Sequence, residues 1–122
     1  MSARTNRRDE AVNLLRTVTA DKAFYFYRGI GQPLGVSSKS LSDFASMVKG
    51  IDASSIRFHV ERGDFESWFR MLGDNSLADQ VGGLRGKSTS PDELKGKVSS
   101  MVGNRVDELR RIARPTVKKR RS

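Results

Sequence analysis

The sequence has no cysteine, a single histidine, three prolines and no long apolar run. Without cysteine it cannot form disulfides, thiolate metal sites or a cysteine nucleophile, and this composition fits a reducing cytoplasm. One histidine excludes any site that needs two imidazoles. The apolar runs are far shorter than the roughly 18 residues that a membrane-spanning helix needs, and the charged N-terminus has no apolar signal core. We therefore predict neither a transmembrane nor a secreted protein.

Positive charge is what the chain has in excess. Its 122 residues include 23 Lys and Arg against 14 Asp and Glu, for a net charge of +9. The whole excess lies at the two ends: residues 1–8 carry +3 and residues 103–122 carry +6, whereas residues 9–102 hold 12 bases and 12 acids. A neutral body with two basic ends predicts a folded module with arms that bind a polyanion.

The predicted nucleic-acid-binding residues are the eleven bases of these two end segments. Nine of them are arginine, whose planar guanidinium can donate two hydrogen bonds to one phosphate. The plainer alternative is that charged ends only keep a small domain in solution, but solubility requires no preference for arginine. The set comprises Arg4, Arg7, Arg8, Arg105, Arg110, Arg111, Arg114, Lys118, Lys119, Arg120 and Arg121.

The local patterns predict a mainly α (α+β) fold: a small helical domain with an N-terminal aromatic β-hairpin and basic terminal arms. We place a basic arm at residues 1–8, a single helical domain at 9–113 and a basic tail at 114–122. The aromatic-rich segment 22–28 is typical of a strand, and the glycine-rich turn after it predicts a hairpin. Helices are expected at 9–19, from 40 to 50, after residue 64, at 75–82 and at 91–113. A linker at 85–90 precedes the last of them.

Capping residues mark several of these helix starts. Ser40 with Asp43 resembles a capping box, and Ser90 followed by Pro91 and Glu93 is a strong N-terminal signal. Asp52 and Asp64 are predicted to cap the helices that follow them. Residues 52–62 are ambiguous because their apolar residues also alternate as in a strand, and we favour a helix there. Gly96 and Gly103 weaken the helix at 91–113, so a break near Gly103 is an alternative.

No catalytic constellation is visible, and we predict neither an enzyme nor a cofactor or metal site. His59 has no second imidazole or thiol beside it, so a structural role is favoured over a general base or a ligand. The run from Phe24 to Tyr27 could offer alternate rings for base stacking, as strand aromatics do in RNA-binding sheets. We favour the alternative in which one pair of rings packs in the core and the other is half-exposed.

Two segments of the chain carry a resemblance to a known family: AFYFYRGIGQPLGVSSKSLSDF at 23–44 and SIRFHVERGDFESWFRMLGDNSLADQV at 55–81. Through these segments, residues 23–81 resemble an uncharacterised archaeal and bacterial family known as domain of unknown function 5752. The resemblance marks Phe58, His59, Arg62–Phe65 and Trp68 as family-pattern positions. The family implies no activity, and both basic ends lie outside the resemblance.

From these observations we expect a cytoplasmic protein that binds nucleic acid without sequence specificity, associated with the ribosome and RNA or with the chromatin of the nucleoid. RNA is slightly favoured over DNA because the arms are rich in arginine and no DNA-reading motif stands out. The alternative is a protein–protein adaptor whose basic tails are incidental. Docking on an anionic membrane is disfavoured, since the sequence has no lipidation motif and no evident basic amphipathic helix.

Overall fold

A computed structural model describes residues 6–87 and 90–114 of the chain. Within them it contains six helices and one antiparallel hairpin, which confirms the predicted fold class. The elements are α1 (Arg7–Leu14), a 3₁₀ turn (Ala20–Lys22), β1 (Phe24–Gly29), β2 (Gln32–Ser38), α2 (Leu41–Val48), α3 (Ala53–Arg62), α4 (Asp64–Leu72), α5 (Asn75–Gly82) and α6 (Pro91–Ala113).

The longest helix, α6, lies at the centre of the fold and packs against α1, α2, α3 and α5. It starts where the sequence predicts, because the Ser90 Oγ accepts a hydrogen bond from the Glu93 backbone N–H at 3.1 Å. The helix continues through Gly103 without a break. One face of it is buried along its whole length, through Leu94, Val98, Val102, Val106 and Leu109.

The ambiguous segment after residue 52 is helical, as favoured. The buried residues of α3 lie on one face of the helix: Ser55, Ile56, His59 and Val60. Their spacing of three and four residues matches the helical period, and the alternation seen in the sequence does not correspond to a strand. Gly63 ends α3 in a left-handed conformation with φ of 77°, which allows α4 to begin at the next residue.

One of the predicted caps is wrong. Gly63 is the N-cap residue of α4, and Asp64, the first residue of that helix, accepts hydrogen bonds from His59 and Arg62 through its Oδ2. Asp52 is the N-cap residue of α3, as predicted, but its side chain makes no capping hydrogen bond, and its carboxylate pairs with the guanidinium of Arg28 at 3.1 Å. The cap predicted at Ser40 is confirmed, with its Oγ accepting from the Asp43 backbone N–H.

The predicted boundary between the N-terminal arm and the body at residue 8 is also wrong. Helix α1 begins at Arg7, because the Asn6 Oδ1 accepts a hydrogen bond from the Asp9 backbone N–H at 2.7 Å. It ends at Leu14, five residues before the predicted limit, and the Val18 backbone N–H then donates to the Lys39 carbonyl. Arg7 and Arg8 therefore belong to a helix of the body.

The hairpin packs on the helices through one face only. Phe24 and Phe26 of β1 are buried in an aromatic cluster with side chains from α2 and α4. Trp68 of α4 joins this cluster, and its indole N–H donates to the Lys22 carbonyl at 2.8 Å. Tyr25 and Tyr27 point the other way and are 48% and 36% exposed. The pairing of rings favoured from the sequence is thus confirmed.

Candidate nucleic-acid interface

The two ends of the described chain meet at one place on the surface. Helix α1 packs along the last turns of α6, and the Arg8 Nε donates to the Ala113 carbonyl at 3.2 Å. These residues are 105 positions apart in the sequence. Both predicted basic segments therefore start from the same end of the domain. We call the exposed arginines there the basic pole: Arg7, Arg8, Arg110, Arg111 and Arg114.

The arginines of the basic pole keep their charge available. In residues 6–87 and 90–114, none of the five forms an ion pair with a carboxylate. Arg8 donates to a carbonyl and Arg110 to the hydroxyl of Ser42, both of which are neutral acceptors. Asp9 and Glu10 lie in the first turn of α1, where they offset the positive end of the helix dipole.

Arg105 belongs to the same predicted set, but its guanidinium is bound to two carboxylates within the domain. Its Nε and Nη2 donate to the two carboxylate oxygens of Asp74 at 2.7 and 3.1 Å, and its Nη1 donates to Glu108 at 2.9 Å. The hydrogen bonds to Asp74 hold the pKa of Arg105 above its ordinary value. Asp74 is 31 residues away in the sequence, so no local pattern could reveal this pair. Arg105 has a structural role.

Five other predicted residues lie outside the described residues: Arg4, Lys118, Lys119, Arg120 and Arg121. The structure gives no geometry for them.

A second feature of the surface is an open cavity of about 560 Å³ between β1, the tip of the hairpin, α3 and the start of α4. We call it the aromatic groove. Its exposed or partly buried walls are Tyr25, Tyr27, Ile30, Phe58 and Arg62. Buried Phe24, His59 and Trp68 form its floor. None of the arginines of the basic pole lines it.

His59 is fixed beneath this groove by both of its ring nitrogens. Its Nε2 lies 2.8 Å from the Tyr27 backbone nitrogen, which can only donate, so Nε2 carries no proton. The proton is therefore on Nδ1, which donates to Asp64 Oδ2 at 2.8 Å. Burial lowers the pKa of His59 despite the neighbouring carboxylate.

This arrangement explains why the His59–Asp64 pair differs from a catalytic dyad. In such a dyad the carboxylate holds one ring nitrogen and the other faces a reacting group. Here the second nitrogen is used by the backbone of β1, and the ring is only 2% exposed. His59 holds the hairpin against α3, which is the structural role favoured from the sequence.

Among the described residues, no group of three or more His, Cys, Asp or Glu side chains is arranged to hold a metal ion. No helix in that part of the chain is long and apolar enough to cross a membrane.

Comparisons with protein-family models, curated proteins and solved structures returned no match for this chain. The resemblance to domain of unknown function 5752 stays a prediction based on the motifs of residues 23–81.

Proposed function

We propose that this protein binds nucleic acid without sequence preference, with the basic pole and the adjoining terminal segments as the contact surface. The observation that carries the proposal is the contact between Arg8 and Ala113. It brings Arg8 of the first basic segment beside Ala113 of the second, and the residues between the two segments are close to neutral. A concentrated patch of this kind attracts a polyanion far more strongly than the same charges spread over the surface.

The chemistry of the pole also favours phosphate as the bound group. Its exposed bases are all arginine, and the planar guanidinium matches the oxygens of a phosphate. Because these side chains have no carboxylate partner among the described residues, binding would not require an existing ion pair to be broken. Phosphate contacts position a protein on nucleic acid but read no bases, so sequence preference is expected to be weak.

The proposal extends to RNA as the slightly favoured target and to association with the ribosome or the nucleoid in the cytoplasm. The alternative of a protein–protein adaptor predicts a partner that is retained after nuclease treatment.

The decisive test is the salt dependence of binding to duplex DNA and to single strands, measured by fluorescence anisotropy. If about five phosphates are contacted, the logarithm of the affinity should fall against that of the salt concentration with a slope near −4.5 for duplex and near −3.5 for single strands. A pole variant with Arg7, Arg110, Arg111 and Arg114 changed to Gln should bind more weakly and flatten both slopes.

A matched control removes the same charge elsewhere. Changing Arg28, Lys87, Lys95 and Lys97 to Gln lowers the net charge by the same amount, but these residues lie outside the pole. This control should keep a slope close to that of the parent. An equal loss in both variants would mean that only the net charge matters, and unaltered binding by the pole variant would refute the proposal.

A further inference from the structure

We infer that the aromatic groove binds an unpaired nucleobase, which stacks on the ring of Tyr27. This inference rests on the proposed function and names its preferred target as single-stranded nucleic acid. The groove and the basic pole consist of different residues, so their contributions can be separated by substitution.

The size and lining of the groove suit a planar aromatic ligand. A volume of about 560 Å³ falls within the range of roughly 300–1,000 Å³ for small-molecule sites. Its walls combine aromatic faces with the side chain of Ile30, which is 81% exposed at the hairpin tip. When a flat apolar ligand covers large apolar groups in an open cavity, apolar surface is removed from water and binding is favoured.

Hydrogen bonds hold the backbone at Tyr27 and the ring of Tyr25 in place. The backbone N–H of Tyr27 donates to His59 Nε2 and its carbonyl accepts from the Ser55 hydroxyl. The Tyr25 hydroxyl donates to the Ala20 carbonyl at 2.5 Å. A fixed backbone and a fixed neighbouring ring lose little conformational entropy when a ligand binds, so this wall of the groove is preorganised.

The same hydrogen bonds argue against a peptide strand as the occupant. A peptide that extends a sheet pairs with the open N–H and C=O groups of an edge strand. At Tyr27, in the middle of β1, both groups are already taken by side chains of α3. Stacking on the exposed rings needs neither group.

Polar groups at the rim can contact the edge of a base or its phosphate. The Arg62 guanidinium lies 5.1 Å from the centre of the Phe58 ring and donates from Nε to Asp64, while its side chain stays 51% exposed. Its terminal N–H groups can donate to a base or a phosphate oxygen. Gly31 at the hairpin tip is exposed, and a Cβ there would meet no atom within 4 Å, which leaves room for a ligand at the rim.

A base inside a duplex is stacked and paired on both sides, so it cannot enter this groove. A single strand can turn its bases outward onto protein rings, and one such stacking contact changes affinity by roughly 5- to 150-fold when the ring is removed. The groove is therefore expected to favour single strands, whereas the pole binds both forms.

Trp68 provides a direct readout because it is the only tryptophan and lies in the groove. Titration with an oligothymidylate of about 15 nucleotides should change its fluorescence. A duplex of equal length and an abasic strand of equal length should leave the emission nearly unchanged. Equal changes with all three ligands would overturn the inference.

Substitutions provide the second arm of the test. Tyr27→Ala should weaken oligothymidylate binding by roughly 5- to 150-fold and leave duplex binding unaltered, and Tyr27→Phe should restore it. The matched control is Val36→Ala on β2, which is similarly exposed but lies outside the groove. Circular dichroism melts establish that each variant is folded. An unaltered affinity in folded Tyr27→Ala, or an equal loss in Val36→Ala, would refute the groove.

The two proposals fail in different ways. If the pole variant keeps its duplex binding but Tyr27→Ala loses single-strand binding, the proposal for the basic pole is refuted and the proposal for the groove is supported. If the pole variant loses duplex binding but Tyr27→Ala binds single strands like the parent, only the proposal for the groove is refuted. A protein that binds neither ligand refutes both.

Discussion

Arg105 of α6 donates hydrogen bonds to both carboxylate oxygens of Asp74, whose side chain is fully buried. Asp74 Oδ1 also accepts from the Leu77 backbone N–H and so caps α5. A single buried carboxylate thus links the start of α5 to the middle of α6.

We expect Arg105→Ala to lower the free energy of unfolding by about 3–5 kcal/mol, because it leaves a buried carboxylate without its counter-charge. Urea denaturation followed by circular dichroism measures this loss. The control is Arg28→Ala, which breaks the exposed pair with Asp52 and should cost less than about 1 kcal/mol. Similar losses in the two variants would contradict the structural role of Arg105.

Because of His59, the free energy of unfolding should decrease as the pH is lowered from about 7 to 5. Burial lowers the pKa of His59 in the folded protein. The unfolded chain therefore takes up a proton near the ordinary pKa of about 6.5, where folded His59 is still neutral. The free energy of unfolding is thus highest above that pH and decreases below it, by at most about 1.4 kcal/mol per pH unit.

The measurement is urea denaturation at intervals across this range, on the parent and on His59→Gln. The variant cannot titrate there and should lose most of the slope. A parent protein that becomes more stable as the pH falls from 7 to 5 would contradict the neutral state of His59.

Gly96→Ala and Gly103→Ala should each stabilise the protein by roughly 0.5–1 kcal/mol. Both glycines lie inside α6, where alanine is the better helix former, and a Cβ at either position would meet no atom within 4 Å. Thermal unfolding of the two single variants tests this. As a contrast, Gly63→Ala should destabilise, because its φ of 77° disfavours any side chain.

Trp68→Ala should cost roughly 3–5 kcal/mol, because the side chain is 7% exposed and packs against Phe24, Phe44 and Phe69. Trp68→Phe should cost less, because it keeps an aromatic ring in the cluster. It still loses the hydrogen bond to the Lys22 carbonyl, so some loss of stability is expected. Denaturant melts rank the variants. A Trp68→Ala protein as stable as the parent would contradict the packing of Trp68.

The parts of the fold that the sequence predicted are those set by neighbours along the chain. Ser90, Pro91 and Glu93 lie within one turn, so the start of α6 can be read locally. Asp52 lies at the predicted N-cap position of α3, but its carboxylate binds Arg28, which is 24 residues away, so no local pattern reveals this pair.

The same distinction holds for the candidate sites. The excess charge of the two ends is a property of composition, but their meeting depends on the packing of α1 on α6. The exposure of Tyr25 and Tyr27 follows from the alternation of β1. The opposite wall of the groove, with Phe58 and Arg62, exists only once α3 and α4 are in place.

The central position of α6 also determines when the domain can fold during synthesis. α1, α2, α3 and α5 all pack on α6, and all of them leave the ribosome before it does. At roughly 5–20 residues per second, translation from Pro91 to Leu109 takes about 1–4 s. Throughout that interval the surfaces of these four helices that pack on α6 in the folded domain lack their partner, although α2 and α3 can already pack on the hairpin and α5 on α4. Burial of these surfaces is complete only once the last buried turn of α6 has been made.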